Sequence, residues 1–400
     1  MARPLRLLVV SHDASRTGAP LVLLTFLRWV RANTDAEVQL VLWRGGPLVE
    51  DFRAVAEVTV LHPPPGRRSP GEWVEDGLAK VGLGRLAEGL THARVRRRLR
   101  VAPHDVRYLN GAGAALVAAH LEPGPPSIAH VHELERGLTF SLRGPGRDAV
   151  LGADRVLTVS RAVADLLVDR WGVDGDRVSV VPGCVPDRPD AAVAPGRSTV
   201  LPGDLPVDVP LVLSVGAGSW RKGIDLFVEL AALVREVHPG PVRFAWVGAL
   251  DDEGATRGRL DQLGVADVVD LPGEVLDPGP WYDRATVFVS TAREDPFPLV
   301  ALEAGATGLP VLAFDSGGIR ELLADGRGTL VGAEDVAALA RAVATALERG
   351  DGGSGERLRR QVILHHTAPV MAASLWAEVE ALRGGSGPPA GDQAPGDETP

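Results

Sequence analysis

Arg293-Glu-Asp-Pro-Phe-Pro-Leu-Val-Ala-Leu-Glu303 runs directly into Ala304-Gly-Ala-Thr-Gly-Leu-Pro310. The apolar run Ala285 to Val289 ahead of it has strand character. Pro298 suits a helix start, because its missing N–H and fixed φ are harmless in the first turn. Asp295 then falls in the loop after a strand, and Glu303 inside the helix that follows. Gly308 ends that helix and Val311 to Phe314 begins the next strand. In an open α/β sheet, ligands bind beyond the carboxyl ends of the strands, which is where this loop lies. Two carboxylates there, with no histidine or cysteine beside them, suit a polyhydroxyl ligand, since carboxylates accept hydrogen bonds from hydroxyls without a metal. An ordinary loop acid and a solvated helix glutamate would look the same in this stretch alone, so its neighbours decide.

Upstream, the strand Leu211 to Val215 leads into Gly216-Ala-Gly-Ser-Trp-Arg-Lys-Gly223 and a helix, Ile224 to Val237. The loop resembles the dinucleotide fingerprint Gly-x-Gly-x-x-Gly, but Arg221 stands where the third glycine belongs. No acid ends the strand Val242 to Val247 to hold a ribose, which disfavours a nicotinamide cofactor. Arg221 and Lys222 instead bring two cations to a helix N-terminus, an arrangement suited to a diphosphate. The chain has only two lysines, Lys80 and Lys222, against forty arginines, so a lysine in this loop suggests that a compact point charge is wanted there. Downstream, Asp315-Ser-Gly-Gly-Ile-Arg-Glu321 is a second glycine loop opening a helix, with amides suited to the same anion.

The first half repeats the strand–loop–helix pattern. Leu5 to Val10 reads as a buried parallel strand, followed by a polar loop with Thr17-Gly18-Ala19 and an apolar helix, Leu21 to Val30. Free amides and the helix dipole make such a junction an anion site, although a plain βα connection reads alike. Ile128-Ala-His-Val-His-Glu-Leu134 is a strand whose alternation puts His130 and His132 on one side. No third and fourth ligand stand at metal-binding spacing, so a neutral histidine bonded to a hydroxyl is the more economical role. Asp174-Gly-Asp176 reads as a turn, and no metal site is expected. Between Pro63 and Pro103 a helical stretch from Trp73 to Arg100 carries Arg94, Arg96, Arg97, Arg98 and Arg100. That cluster reads first as a solvated helix face, and second as a peripheral contact with an anionic membrane surface.

Four hundred residues suggest two domains, each with its own core. A formal net charge of −10 argues against bulk nucleic-acid binding. A single cysteine, Cys184, excludes an internal disulfide framework and fits a reducing compartment. The N-terminal apolar run is too short for a signal peptide's core, and none approaches the roughly 20 residues of a spanning helix. A soluble, cytoplasmic protein is expected, peripheral at the inner membrane face if the arginine cluster binds lipid. Residues 186–209 read as a linker and 384–400 as a disordered tail.

Together these residues resemble the retaining, GT-B-fold glycosyltransferases of family 4. The likeness covers nearly the whole chain and is strongest over 211–331. It implies an α/β fold of two Rossmann-like domains facing across a cleft, with a C-terminal helix crossing back to the N-terminal domain. Residues 1–185 would form an acceptor-binding domain and 210–365 a nucleotide-sugar-binding domain, with a closing helix at 366–383. The family's Glu–seven residues–Glu motif matches Asp295 and Glu303, with aspartate replacing the first glutamate. Glu303 matches the residue holding the donor ribose. The backbone of Phe297, Pro298 and Leu299 matches the segment near the donor sugar and phosphates. Lys222 fits the family's Lys-Gly lysine; the arginine expected after Gly216 is replaced by Ala217, and Arg221 supplies a charge nearby. Gly18 resembles the glycine loop facing the diphosphate, and His132 the histidine near the donor sugar's hydroxyl.

The resemblance implies transfer of a sugar from a nucleoside-diphosphate sugar to a hydroxyl acceptor: a glycan, glycolipid or secondary metabolite. His132, Lys222 and Asp295 would be the catalytic groups, with Gly18, Arg221, Lys222, Asp295, Phe297, Pro298, Leu299 and Glu303 binding the donor. No metal and no cofactor beyond the donor are implied, because the cations and helix N-termini would stabilise the departing diphosphate. Three alternatives stay open: a nucleotide-sugar epimerase of the same fold, a non-catalytic nucleotide-sugar-binding homologue, and an NAD-dependent enzyme, which Arg221 in the glycine loop disfavours.

Overall fold

The computed structural model describes residues 3–64, 83–144, 146–185 and 208–384, together with Trp73, Val74, Leu78 and Lys80. The linker expected over 186–209 falls, up to residue 207, outside the described residues, as does the tail beyond 384. The chain forms two compact units. The first comprises residues 1–159, 163–181 and 369–400; the second comprises 160–162 and 182–368.

In the first unit, seven parallel strands stand in the order β3-β2-β1-β4-β5-β6-β7. They are β1 (Arg6–Ser11), β2 (Glu37–Arg44), β3 (Glu57–His62), β4 (Val106–Asn110), β5 (Ser127–Val131), β6 (Arg155–Thr158) and β7 (Val178–Val180). The inner strands are near-continuous apolar runs, as a parallel sheet covered on both faces requires. Leu7, Leu8, Val9 and Val10 of β1 are all fully buried. The strand order reverses direction between β1 and β4, and this is where such sheets bind ligands. There the register sets Ser11 opposite Asn110.

The second unit has six parallel strands in the order β10-β9-β8-β11-β12-β13. These are β8 (Leu211–Val215), β9 (Arg243–Val247), β10 (Val269–Gly273), β11 (Val287–Ser290), β12 (Val311–Phe314) and β13 (Thr329–Val331). Its core joins Val212, Phe227, Phe244, Trp246 and Val289 with Leu339 and Val343 from the helix Val336–Arg349. Here the order reverses between β8 and β11. The Gly216–Gly223 loop and the Arg293–Leu299 segment leave the sheet from those two strands.

β13 was not foreseen, since three residues carry too little periodicity to register. Pro298 is the N-cap of the helix Leu299–Ala306, one residue outside the helix it was expected to start. The closing segment is two helices, Ser354–His365 and Ala368–Arg383, and the second belongs to the first unit. The expected long basic helix is described as Gly84–Arg98. Its arginines fasten it down: Arg98 donates to the Leu61 carbonyl at 2.7 Å, and Arg96 pairs with Glu122 at 3.4 Å.

Candidate active site

In the second unit, the two loops at the strand-order reversal are bonded to each other. Lys222 Nζ lies 2.5 Å from Asp295 Oδ2, with both side chains largely buried. The amides of Arg293 and Glu294 donate to the Arg221 carbonyl at 2.9 and 3.4 Å. In return, Arg221 Nη1 donates to the Glu294 carbonyl at 2.9 Å. Gly223, at the N-cap of the helix Ile224–Val237, has φ +74°, and a Cβ there would come within 2.0 Å of the Thr291 carbonyl oxygen. Only glycine fits that left-handed, crowded position.

Arg293 holds the assembly. It forms a fork with both carboxylate oxygens of Asp225 at 2.8 and 2.7 Å, bonds Glu334 at 2.8 Å and the Trp220 carbonyl at 2.8 Å, and lies 4.9 Å from the Trp220 ring centroid. Its guanidinium keeps the Asp225 carboxyl below the usual range, and Asp225 in turn raises Arg293. The acid in the first turn of the Gly223 helix is therefore neutralised. Neither that helix nor Leu299–Ala306 has a side-chain cap, so their positive ends remain suited to an anion. At Gly216, φ is +145° and no atom lies within 4 Å of where a Cβ would stand, so a ligand can reach the backbone.

Glu303 is half-buried and accepts a 2.7 Å hydrogen bond from the Tyr282 hydroxyl, which orients its carboxylate. The Phe297 ring is buried, 5.5 Å from the His366 ring, and a Cβ at Gly183 would meet Leu299 at 2.7 Å and Phe297 at 3.4 Å. Phe297 and Leu299 thus anchor the segment through their side chains, and the Pro298 carbonyl accepts from the Ala301 and Leu302 amides at 3.0 and 3.3 Å. The structure brings Lys222, Asp295 and the 297–299 segment onto one pair of loops, with Glu303 a turn further along the helix.

In the first unit, Gly18 is exposed at the first turn of the helix Gly18–Asn33, which also has no side-chain cap and no acid in its first turn. His132 follows β5, and its Nε2 is 3.1 Å from Asn110 Oδ1. The His130 and His132 rings are 4.0 Å apart, as their alternation implies. His130 is paired instead with Tyr108, whose hydroxyl is 2.6 Å from its Nδ1. Burial drives the pKa of His130 down to about 3 and holds His132 well below its ordinary value, so both imidazoles are neutral at pH 7. Glu133 accepts from the amides of Ala112 and His132 at 3.0 and 2.9 Å, while burial raises its pKa.

These shifts fix a pH dependence of stability. His120, His130, His132 and His366 are all depressed by burial from a value near 6.5. A histidine whose folded pKa is lowered contributes stability that is present above its unfolded value and lost as pH falls below it. Glu133, raised, works in the opposite sense. The expected result is a urea midpoint that is flat near pH 8 and falls between pH 6 and 5, at up to about 1.4 kcal/mol per pH unit for each uncompensated histidine. A midpoint constant through that window contradicts it.

Asn110, Glu133, Tyr282 and Arg293 were not picked out as site residues. Asn110 and Glu133 had a visible signal, since Asn110 ends β4 and Glu133 follows β5, both at the carboxyl ends of strands where ligands bind. Tyr282 and Arg293 had none, because their partners lie 21 and 68 positions away in sequence. Among the described residues, no group of three or more His, Cys, Asp or Glu could hold a metal ion. No described helix is long and apolar enough to cross a membrane.

Comparison with known proteins places this architecture. Residues 209–349 match the family described as glycosyl transferases group 1, and residues 48–188 match glycosyltransferase family 4. The D-inositol 3-phosphate glycosyltransferase of Acidothermus cellulolyticus is 36% identical over 263 residues, which cover 57% of this chain and 55% of that one. The chain thus spans about half the length of that relative. The protein of the same name from Xylanimonas cellulosilytica is 29% identical over 88% of this chain and 84% of its own. In fold, the Anabaena protein HepE in complex with UDP and glucose superposes with a TM-score of 0.70 at 18% identity, over 95% of this chain and all of that one. Sucrose-phosphate synthase from Thermosynechococcus elongatus gives 0.69 at 21% identity, over 96% of this chain and all of that one. The chain belongs to the group 1, family 4 glycosyltransferases and has the GT-B fold.

Proposed function

We propose that the protein transfers a sugar, with retention of anomeric configuration, from a nucleoside-diphosphate sugar to a hydroxyl on a small polar acceptor. The observation that carries this is the Lys222–Asp295 pair set between two uncapped helix N-termini. A fixed cation and two positive helix ends would meet the charge that builds on the diphosphate as it leaves, so the reaction calls for no divalent ion. The bond from the sugar's anomeric carbon to the diphosphate oxygen breaks, and one to the acceptor oxygen forms. The acceptor's proton passes to the departing phosphate. Glu303, oriented by Tyr282, would hold the ribose hydroxyls, and Asp295 would accept from a sugar hydroxyl while tethering Lys222.

The second unit would bind donor and the first unit acceptor, with Gly18 and His132 as the first unit's substrate-contacting residues. Two relatives are named D-inositol 3-phosphate glycosyltransferase, which makes a cyclitol phosphate the first acceptor to try. Structures of the Anabaena neighbour hold UDP and UDP-glucose, which makes UDP-sugars the first donors. The reaction would take place in the cytoplasm. The test is to incubate the protein with UDP-sugars and inositol phosphates in EDTA and to read released UDP and the product's anomeric configuration. An α-linked product from an α-linked donor supports the proposal. UDP release that no acceptor accelerates, or epimerised donor in its place, refutes it.

A further inference from the structure

The surroundings of His132 decide which of its two nitrogens can meet a substrate, and Asn110 makes that choice. Asn110, fully buried at the end of β4, makes three contacts: its Nδ2 reaches Ser11 Oγ at 3.2 Å and the Ala19 carbonyl at 3.3 Å, and its Oδ1 lies 3.1 Å from His132 Nε2. A backbone carbonyl can only accept, so the amide nitrogen must face Ala19 and the amide oxygen must face His132. An amide oxygen also only accepts, so His132 Nε2 must carry the proton. We infer that Asn110 is a positioning residue that locks His132 as the neutral tautomer protonated at Nε2, leaving the Nδ1 lone pair to accept a hydrogen bond from a substrate hydroxyl.

The tautomer follows from donor and acceptor accounting alone. The substrate contact rests on the proposed function, in which His132 faces the sugar or its acceptor. Glu133 supports the same geometry by accepting the His132 backbone amide at 2.9 Å, which fixes the residue's main chain. His130 cannot take the role, because its Nδ1 is already bonded to Tyr108 and its Nε2 is buried. Asn110 also joins the His132 side chain to the carbonyl of Ala19, next to Gly18. The glycine loop and the histidine therefore share one anchor.

Two measurements test this. The first is 15N NMR of histidine-labelled full-length protein at pH 7, with His132 assigned by its loss in His132→Asn. The expected spectrum shows His132 protonated at Nε2 and bare at Nδ1, turning to a mixture of tautomers in Asn110→Ala. A native His132 protonated at Nδ1, or a tautomer unmoved by Asn110→Ala, overturns the inference whether or not the enzyme is active. The second is kinetic. Displacing a positioned group costs up to about 100-fold, so Asn110→Ala should lower kcat about 10- to 100-fold with the donor KM unchanged. Asn110→Ser, which keeps a polar group, serves if the alanine variant does not fold. The asparagine oxygen can stand where Nδ1 stood, whereas the glutamine amide reaches the position of Nε2. His132→Asn should therefore retain more kcat than His132→Gln, and the reverse order overturns the inference. A protein that binds no nucleoside diphosphate and transfers no sugar fails the functional proposal instead, and the NMR result is independent of it.

Discussion

Lys222→Ala is expected to lower kcat by roughly 10²–10³-fold, the usual cost of removing one positioned group that stabilises transition-state charge. Donor affinity should fall much less, because the charge on the diphosphate grows as the bond to the sugar breaks. The 2.5 Å contact with Asp295 sharpens the expectation. In the variant, Asp295 is left buried beside an anion with no cation between them, which also weakens its hold on the sugar. Lys222→Arg should not restore the rate, since a guanidinium fork cannot reproduce one ammonium placed against one carboxylate oxygen. Steady-state kinetics with a saturating acceptor, alongside calorimetric donor affinity, separate the two effects. Equal losses in affinity and in kcat/KM, with kcat intact, would mean that Lys222 only binds.

The largest loss of stability is expected at Glu378. This residue of the last helix pairs with Arg155 at the start of β6, at 2.9 Å, with both side chains only 9% exposed. Removing one partner of a buried pair leaves an uncompensated charge and costs about 3–5 kcal/mol. The remaining contacts of Arg155, to the Asp176 carbonyl and Ser179 Oγ, are both 3.5 Å long and compensate little. Glu378→Ala should therefore lower Tm by roughly 10 °C. Replacing both residues with apolar ones of similar size should cost much less, because no charge is then stranded. A single variant as stable as the native protein would show that the last helix is held by its apolar face alone, through Met371, Leu375 and Val379.

Much of this architecture was legible in the sequence. Parallel strands such as Leu211–Val215 and Val311–Phe314 are apolar but for Ser214 and follow a proline, so their ends were readable almost to the residue. The glycine loop at 216–223 and the Asp295–Glu303 spacing marked the candidate site, because an anion at a helix N-terminus calls for glycine and cations, and a polyhydroxyl group suits carboxylates. Bonds that cross the sequence were not legible. Nothing near Lys222 shows that its partner is Asp295, since that pairing exists only once β8 and β11 are neighbours. The same holds for Arg293 with Asp225 and for Tyr282 with Glu303. Aspartate at 295 reads as a departure from the family pattern, yet the structure gives its short side chain a clear partner in Lys222.

Titration calorimetry of the native protein and of Glu303→Ala with UDP, GDP, ADP and dTDP tests the donor assignment most directly. Glu303 is half-buried on a helix that tolerates alanine, and Tyr282 keeps a second, 3.3 Å contact to the Val300 carbonyl, so the variant should stay folded. The donor assignment predicts that the native protein binds one of these nucleotides, with EDTA present, and that the folded variant binds it at least about 100-fold more weakly, as losing a charged pair of ribose contacts would cost. A native protein that binds none of them, or a folded Glu303→Ala variant with unchanged affinity, would contradict it.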